Sequence, residues 1–168
     1  MSHSILITGA SGYLGGSLLA QLAHANLPPY KKLYALARSE EQAESIRRYQ
    51  VEPLNLDLRD QERVVKSIID AKITIIYFLV DAIKSDFQIP MIQALGEVRK
   101  QTGQVVHFLH TTGAKIFSQH AGLPTDRSIL DTDPNLYHLQ KSSKAPYSIM
   151  AQVRPYHLIL LVLLYKCT

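Results

Sequence analysis

Apolar and polar positions along the chain fall into two alternating rhythms. Short runs rich in Ile, Val, Leu and Ala, at Ser4–Thr8 (SILIT), Leu33–Ala37 (LYALA), Val51–Leu54, Ile73–Val80 (ITIIYFLV) and Val105–His110 (VVHFLH), read as strands. Between them lie stretches with apolar residues every three or four positions, which read as helices. Tyr13–Ala25 repeats Leu14, Leu18, Leu19 and Leu22, and QERVVKSIID gathers Val64, Val65, Ile68 and Ile69 on one face. Ile73–Val80 is apolar on both faces, as a central strand of a parallel sheet must be.

Local signals place the ends of these elements. Pro28 and Pro29 cannot continue the first helix. Ser39 with Gln42 three residues on forms a capping-box pattern for a helix over Glu40–Tyr49, and Asp60 caps the helix that starts at Gln61. Asp86 opens a helix from Phe87 to about Thr102; Pro90 is tolerated in its first turn and Gly103 suits its end. Strand–helix repeats in this order predict an α/β fold built of right-handed βαβ units on a parallel sheet. After Thr111 the rhythm weakens into a long Ser-, Asp-, Pro- and Lys-rich stretch, of the kind that covers active sites in α/β proteins.

Composition narrows the setting. At 168 residues the chain fits one domain with a continuous core. The formal charge is +4, but the basic residues are scattered in pairs such as Lys31–Lys32 and Arg47–Arg48, which argues against a nucleic-acid partner. The single cysteine, Cys167, permits no internal disulfide and points to a reducing compartment. With no signal-peptide pattern at the N-terminus, the expected location is the cytoplasm. The terminal YHLILLVLLYKCT is strongly apolar, yet its uncharged run is half the roughly 20 residues a transmembrane helix needs. A buried strand or helix end is the expected reading, a weak membrane tail the alternative. The seven histidines form no metal site: His107 and His110 fall on opposite faces of a strand. No G-x-S-x-G elbow supports a hydrolase.

The chemistry sits where the first strand meets the first helix. ILITGASGYLGG places Gly9, Gly12 and Gly15 at that junction. The first permits a tight turn, the second a close approach of pyrophosphate to the backbone, and the third close packing of helix on strand. Helix N–H groups around Gly12–Leu14 would then face the phosphates. No lysine follows as a P-loop requires, so nucleoside triphosphate hydrolysis is disfavoured and dinucleotide binding favoured. At the end of the second strand an acid would bind a ribose 2′-hydroxyl; ALARSEE instead offers Arg38 and Ser39, which suit a 2′-phosphate and favour NADP over NAD. Glu40 and Glu41 would repel that phosphate if they turned inward. Asp57 and Leu58, beyond the third strand, are placed to accept from an adenine amine and to flank its ring; the alternative for Asp57 is a helix cap.

TGASGYLG, ALARS and LDLRD together resemble an extended or atypical short-chain dehydrogenase/reductase, nearest the NAD-dependent epimerase/dehydratase and NmrA-like branches, over about Ser4 to Ala151. The resemblance implies a Rossmann-type, doubly wound parallel sheet of about five strands in three α/β/α layers, with an incomplete C-terminal part. It divides the chain into a NAD(P)-binding domain at 1–152 and an atypical apolar tail at 153–168. It also implies cofactor contacts from Ser11, Tyr13, Leu14, Leu79 and Val80. In that family a Ser or Thr after the fifth strand and a Tyr-x-x-x-Lys motif carry catalysis. A tyrosine whose pKa is near 10 needs a nearby cation to act at neutral pH.

Here the match loosens. Thr111 and Thr112 stand where the hydroxyl is expected, with Thr112 the candidate, though Gly113 occupies a competing position. Tyr137 and Lys141 have the literal spacing, whereas Tyr147 better resembles the family's helix start but has Ala151 four residues on. Family members run to about twice this length, so the expectation is a truncated or alternatively ended product. Two functions follow from the resemblance. One is an NADP(H)-dependent oxidoreductase or epimerase acting on a small carbonyl or sugar-like substrate; the other is a non-catalytic, NmrA-like NADP sensor.

Overall fold

The computed structural model describes residues 2–22, 24–81 and 86–111, positions 119 and 126, and residues 128–130, 132–136 and 138–139. Among the described residues nine elements alternate: β1 (Ser4–Ile7), α1 (Tyr13–Leu22), β2 (Lys32–Ala37), α2 (Glu40–Arg47), β3 (Glu52–Asn55), α3 (Gln61–Asp70), β4 (Ile75–Phe78), α4 (Gln88–Thr102) and β5 (His107–His110). The five strands form one sheet in the order β3-β2-β1-β4-β5, and every pairing is parallel. This is the expected Rossmann-like α/β fold.

Side-chain alternation gives each face of the sheet its own core. Ile5, Ile7, Leu33, Ala35 and Ala37 pack with Leu19 of α1 and Ile46 of α2. Leu6, Leu36, Ile76, Phe78 and Phe108 pack on the other face with Ile68 of α3 and Leu95 of α4. The chain thus walks outward from β1 to β3 under α1 and α2, then returns beneath α3 to place β4 beside β1. That reversal is the topological switch point, where a crevice opens beyond the strands' C-terminal ends.

Element ends are trimmed relative to the periodicity, for identifiable reasons. Ile73 N–H bonds to Ile68 O (3.0 Å), so that residue closes α3 rather than opening β4. α1 stops at Leu22 because His24 and Ala25 N–H turn back to Gln21 O and Leu22 O, a tighter turn than the α-helix. α2 stops at Arg47, where Tyr49 and Gln50 N–H bond to Ile46 O and Arg47 O and Gln50 adopts φ 59° to enter β3. The caps stand as expected at Ser39, Asp60 and Gly103; the last has φ 70° and donates to Arg99 O (2.8 Å). At α4, however, Phe87 rather than Asp86 occupies the cap position and gives no side-chain bond.

Candidate functional site

A cleft of about 1120 Å³ opens at the C-terminal end of the sheet, over the switch point. Its floor is the β1–α1 turn. Gly9 adopts φ +68°, and a Cβ there would lie 3.0 Å from Leu79 O, so the end of β4 passes directly across the turn. Gly15 faces inward; a Cβ would collide with the Gly9 carbonyl oxygen and stand 2.7 Å from Ala10 Cα. Thr8 ties the two strand ends together: its N–H donates to Tyr77 O (2.9 Å) and its hydroxyl oxygen accepts from Leu79 N–H (3.1 Å). Nothing in the strand pattern singles out that clamp; a polar residue closing an apolar run is its one sequence signal.

The turn leaves a backbone cradle. Gly12 N–H is spent on Gly9 O (3.0 Å), and the first bond of α1 runs from Gly16 N–H to Gly12 O (2.8 Å). The N–H groups of Tyr13, Leu14 and Gly15 therefore precede the helical ladder, at the positive end of the helix dipole. No acidic side chain occupies the first turn of α1. The arrangement fits an anionic group such as a pyrophosphate, which needs close backbone approach and has no carboxylate to oppose it.

The other end of the cleft is built by β2 and β3. Parallel pairing sets Ala37 against Asn55, and Leu56 N–H bonds to Ala37 O (3.1 Å), so Arg38 and Asp57 emerge side by side. The N-terminus of α2 is locked by two bonds from Gln42: its N–H donates to Ser39 Oγ (3.3 Å), and its Oε1 accepts from Arg38 N–H (2.9 Å). The capping box is thus displaced by one residue at its second bond, which fixes the backbone of Arg38. Glu40 pairs with Arg47 (2.7 Å), whereas Glu41 lines the cleft along with Arg38.

Asp57 is more engaged than its place in the sequence indicates. Arg59 Nε donates to both its oxygens (3.1 and 3.0 Å), Arg59 Nη2 to Oδ2 (2.6 Å), and Arg59 N–H to Oδ1 (2.9 Å). These bonds, from side chain and then backbone, hold the Asp57 carboxyl at about 2, below its ordinary 3.8, and the charge of Arg38 acts in the same direction. Arg59 also lines the cleft. LDLRD contains it, but only the folded turn shows that its guanidinium folds back on Asp57.

Nine of the residues expected to hold a cofactor border this cleft: Gly9, Ser11 and Gly12 from the turn, Arg38 and Ser39 just after β2, Asp57 and Leu58 after β3, and Leu79 and Val80 after β4. Three others are not among its lining residues. Tyr13 is 82% exposed, Leu14 is half-buried, and Gly15 is buried beneath the turn, so what these three offer is backbone. Phe87, Ser45 and Tyr49 also line the cleft, which the motifs do not indicate; the last two share a face of α2 and its extension with Gln42. The catalytic candidates Thr112, Tyr137, Lys141 and Tyr147 lie outside the described residues.

Near the ends of β4 and β5, His110 is fully buried with neither ring nitrogen hydrogen-bonded, and Gln88 Oε1 is likewise unpartnered. Burial pushes the His110 pKa down, against the opposing charge of Asp81. Among the described residues no cluster of three or more His, Cys, Asp or Glu side chains could hold a metal ion. No described helix is long and apolar enough to cross a membrane.

The profile of the NAD-dependent epimerase/dehydratase family matches residues 5–141. The chain belongs to that family. Its fold resembles solved structures of low identity. The UDP-Glc/GlcNAc 4-epimerase of Campylobacter jejuni superposes with a TM-score of 0.58 at 21% identity, over 92% of this chain and 49% of that one. A nucleoside-diphosphate-sugar epimerase of Staphylococcus aureus gives 0.52 at 20%, over 96% and 49%. Leucoanthocyanidin reductase of Vitis vinifera, solved with NADPH, gives 0.52 at 18%, over 95% and 46%. The chain therefore spans about half the length of these relatives. Among curated proteins, none matches it in sequence. Members of the family bind NAD(P), and the glycine turn of this chain lies within the matched residues.

Proposed function

We propose that the cleft binds NADP(H) and that the protein's chemistry is hydride transfer with a small carbonyl or sugar-like substrate. The observation that carries this reading is the pairing of an open α1 N-terminus with Arg38, rather than an acid, at the end of β2. The pyrophosphate would lie on the N–H groups of Tyr13 and Leu14, the adenosine beside Leu58, and its 2′-phosphate against Arg38. The nicotinamide supplies the hydride; the protein's part is to orient it. Leu79 and Val80, which line the cleft, would border the nicotinamide, and Thr112 with Tyr137 and Lys141, or Tyr147, would complete the acid/base machinery.

Arg38→Ala tests the cofactor half: NADPH affinity should fall about tenfold or more while NADH binding stays unchanged. Equal effects on both would remove the 2′-phosphate reading. Cofactor oxidation with a panel of aldehydes, ketones and nucleotide sugars tests the chemistry, and loss of turnover in Tyr137→Phe or Tyr147→Phe would assign the proton donor. A second reading, an NADP-dependent sensor without catalysis, is favoured by Ala151 standing where Tyr147 would require lysine. It predicts tight NADPH binding, no turnover with any of the panel, and cofactor-dependent capture of a protein partner.

A further inference from the structure

The Asp57–Arg59 pair leaves part of a guanidinium unused. Arg59 has five N–H donors, and Asp57 takes the Nε hydrogen and one on Nη2. No described residue takes the Nη1 donors. Those donors belong to a side chain that is 83% exposed on the border of the cleft, beside the turn that carries Leu58. Its orientation is fixed twice over. The Asp57 side chain also accepts from Arg59 N–H, and Asp60 N–H bonds to Asp57 O (3.0 Å), so a compact turn sets the backbone from which the guanidinium springs.

Arg38 stands on the adjoining strand end, with its backbone fixed by Gln42. Its charge is felt by Asp57, and Arg38, Asp57 and Arg59 all line the same cleft. That carboxylate cancels one of the two positive charges and leaves the other for a ligand. A phosphomonoester, carrying ~1.5 to 2 negative charges and three strong acceptor oxygens at neutral pH, matches two guanidiniums lining one cleft better than a hydroxyl does.

We propose that Arg59, held in place by Asp57, is the second arm of a phosphomonoester clamp whose first arm is Arg38. This clamp, resting on the NADP(H) reading above, sets the preference for 2′-phosphorylated adenosine. Asp57 is then a positioning residue: it acts on the phosphate through Arg59. Because the guanidinium is held before the ligand arrives, little side-chain freedom is lost on binding.

The test measures the affinities of 2′,5′-ADP and 5′-AMP, which differ only in the 2′-phosphate, by calorimetry on the full chain. All three side chains are exposed, so Arg38→Ala, Arg59→Gln and Asp57→Asn should fold, as circular dichroism would verify. The wild-type chain should prefer 2′,5′-ADP by about tenfold or more. Arg59→Gln should remove most of that preference and leave 5′-AMP binding unchanged. Asp57→Asn is the sharper probe. Removing a negative charge beside a phosphate would tighten binding if charge alone mattered, whereas loss of the clamp's geometry should weaken it. A wild-type chain with no preference overturns the NADP(H) reading and the clamp with it. A preference lost in Arg38→Ala but kept in Arg59→Gln leaves that reading standing and overturns the clamp. Tighter 2′,5′-ADP binding in Asp57→Asn overturns the positioning role.

Discussion

The two ends of the cleft are made by different means. At the β1–α1 end the backbone forms the site: Gly9 turns at positive φ, Gly15 lets α1 sit against the turn, and the open N–H groups follow from where the helix begins. At the β2–β3 end side chains form it, with Arg38, Asp57 and Arg59 arranged by strand register and a local turn. The first end is rigid, and any L side chain at Gly15 meets backbone atoms. The second is exposed, and its parts can be exchanged without touching the core. The backbone end should therefore govern whether a dinucleotide binds at all, and the side-chain end which one.

The largest expected effect breaks the backbone end. Gly15→Val must push α1 off the turn, since its Cβ would meet the Gly9 carbonyl and Ala10 Cα. Denaturant unfolding should show a loss of about 3 kcal/mol or more, and binding of NADPH and NADH should vanish together. Thr8→Val keeps the shape but removes the acceptor of the Leu79 N–H bond. A loss of about 1–3 kcal/mol is expected in the same measurement. The tenfold NADPH-selective loss in Arg38→Ala comes next and should leave stability within about 0.5 kcal/mol of wild type.

Smaller effects sharpen the contrast away from the cleft. Burial lowers the folded-state pKa of His110 below its ordinary 6.5. The unfolded chain then binds the proton more readily, so this contribution to stability is intact above pH 6.5 and is lost as pH falls below it. His110→Phe should flatten that acid limb of the stability–pH curve, measured by thermal unfolding from about pH 7.5 down to about pH 5, a range that brackets the ordinary His pKa. Gly96, inside α4, has open space where a Cβ would project, with no atom within 4 Å, in contrast to Gly15. Gly96→Ala should stabilise the chain by about 0.5–1 kcal/mol without altering cofactor affinity.

The same contrast governs how much is legible in the sequence. The glycine turn can be read because φ and steric demands act residue by residue, and Gly9 and Gly15 announce them. Strand and helix order can be read from periodicity, and Ser39, Asp60 and Gly103 mark their helix ends through local chemistry. The Asp57–Arg59 fork cannot, because LDLRD fits equally an adenine acceptor, a helix cap or an ion pair, and only the folded turn decides. Thr8 is hidden because its partner lies 71 residues away on the end of β4. The full burial of His110, whose ring lies against that of Phe78 on the neighbouring strand, is likewise not encoded by any alternation within HFLH.

If the α1 N-terminus binds the dinucleotide's phosphates while the β2–β3 end reads its ribose, the two ends should respond differently to the two cofactors. The most direct measurement is an amide ¹H–¹⁵N NMR titration of the full chain with NADPH and then NADH. Both should shift the Tyr13, Leu14 and Gly15 amides saturably, and NADPH alone should strongly shift Arg38 and Arg59. Saturable binding that leaves the Tyr13–Gly15 amides unmoved, or no binding of either cofactor by the folded chain, would contradict this division of roles.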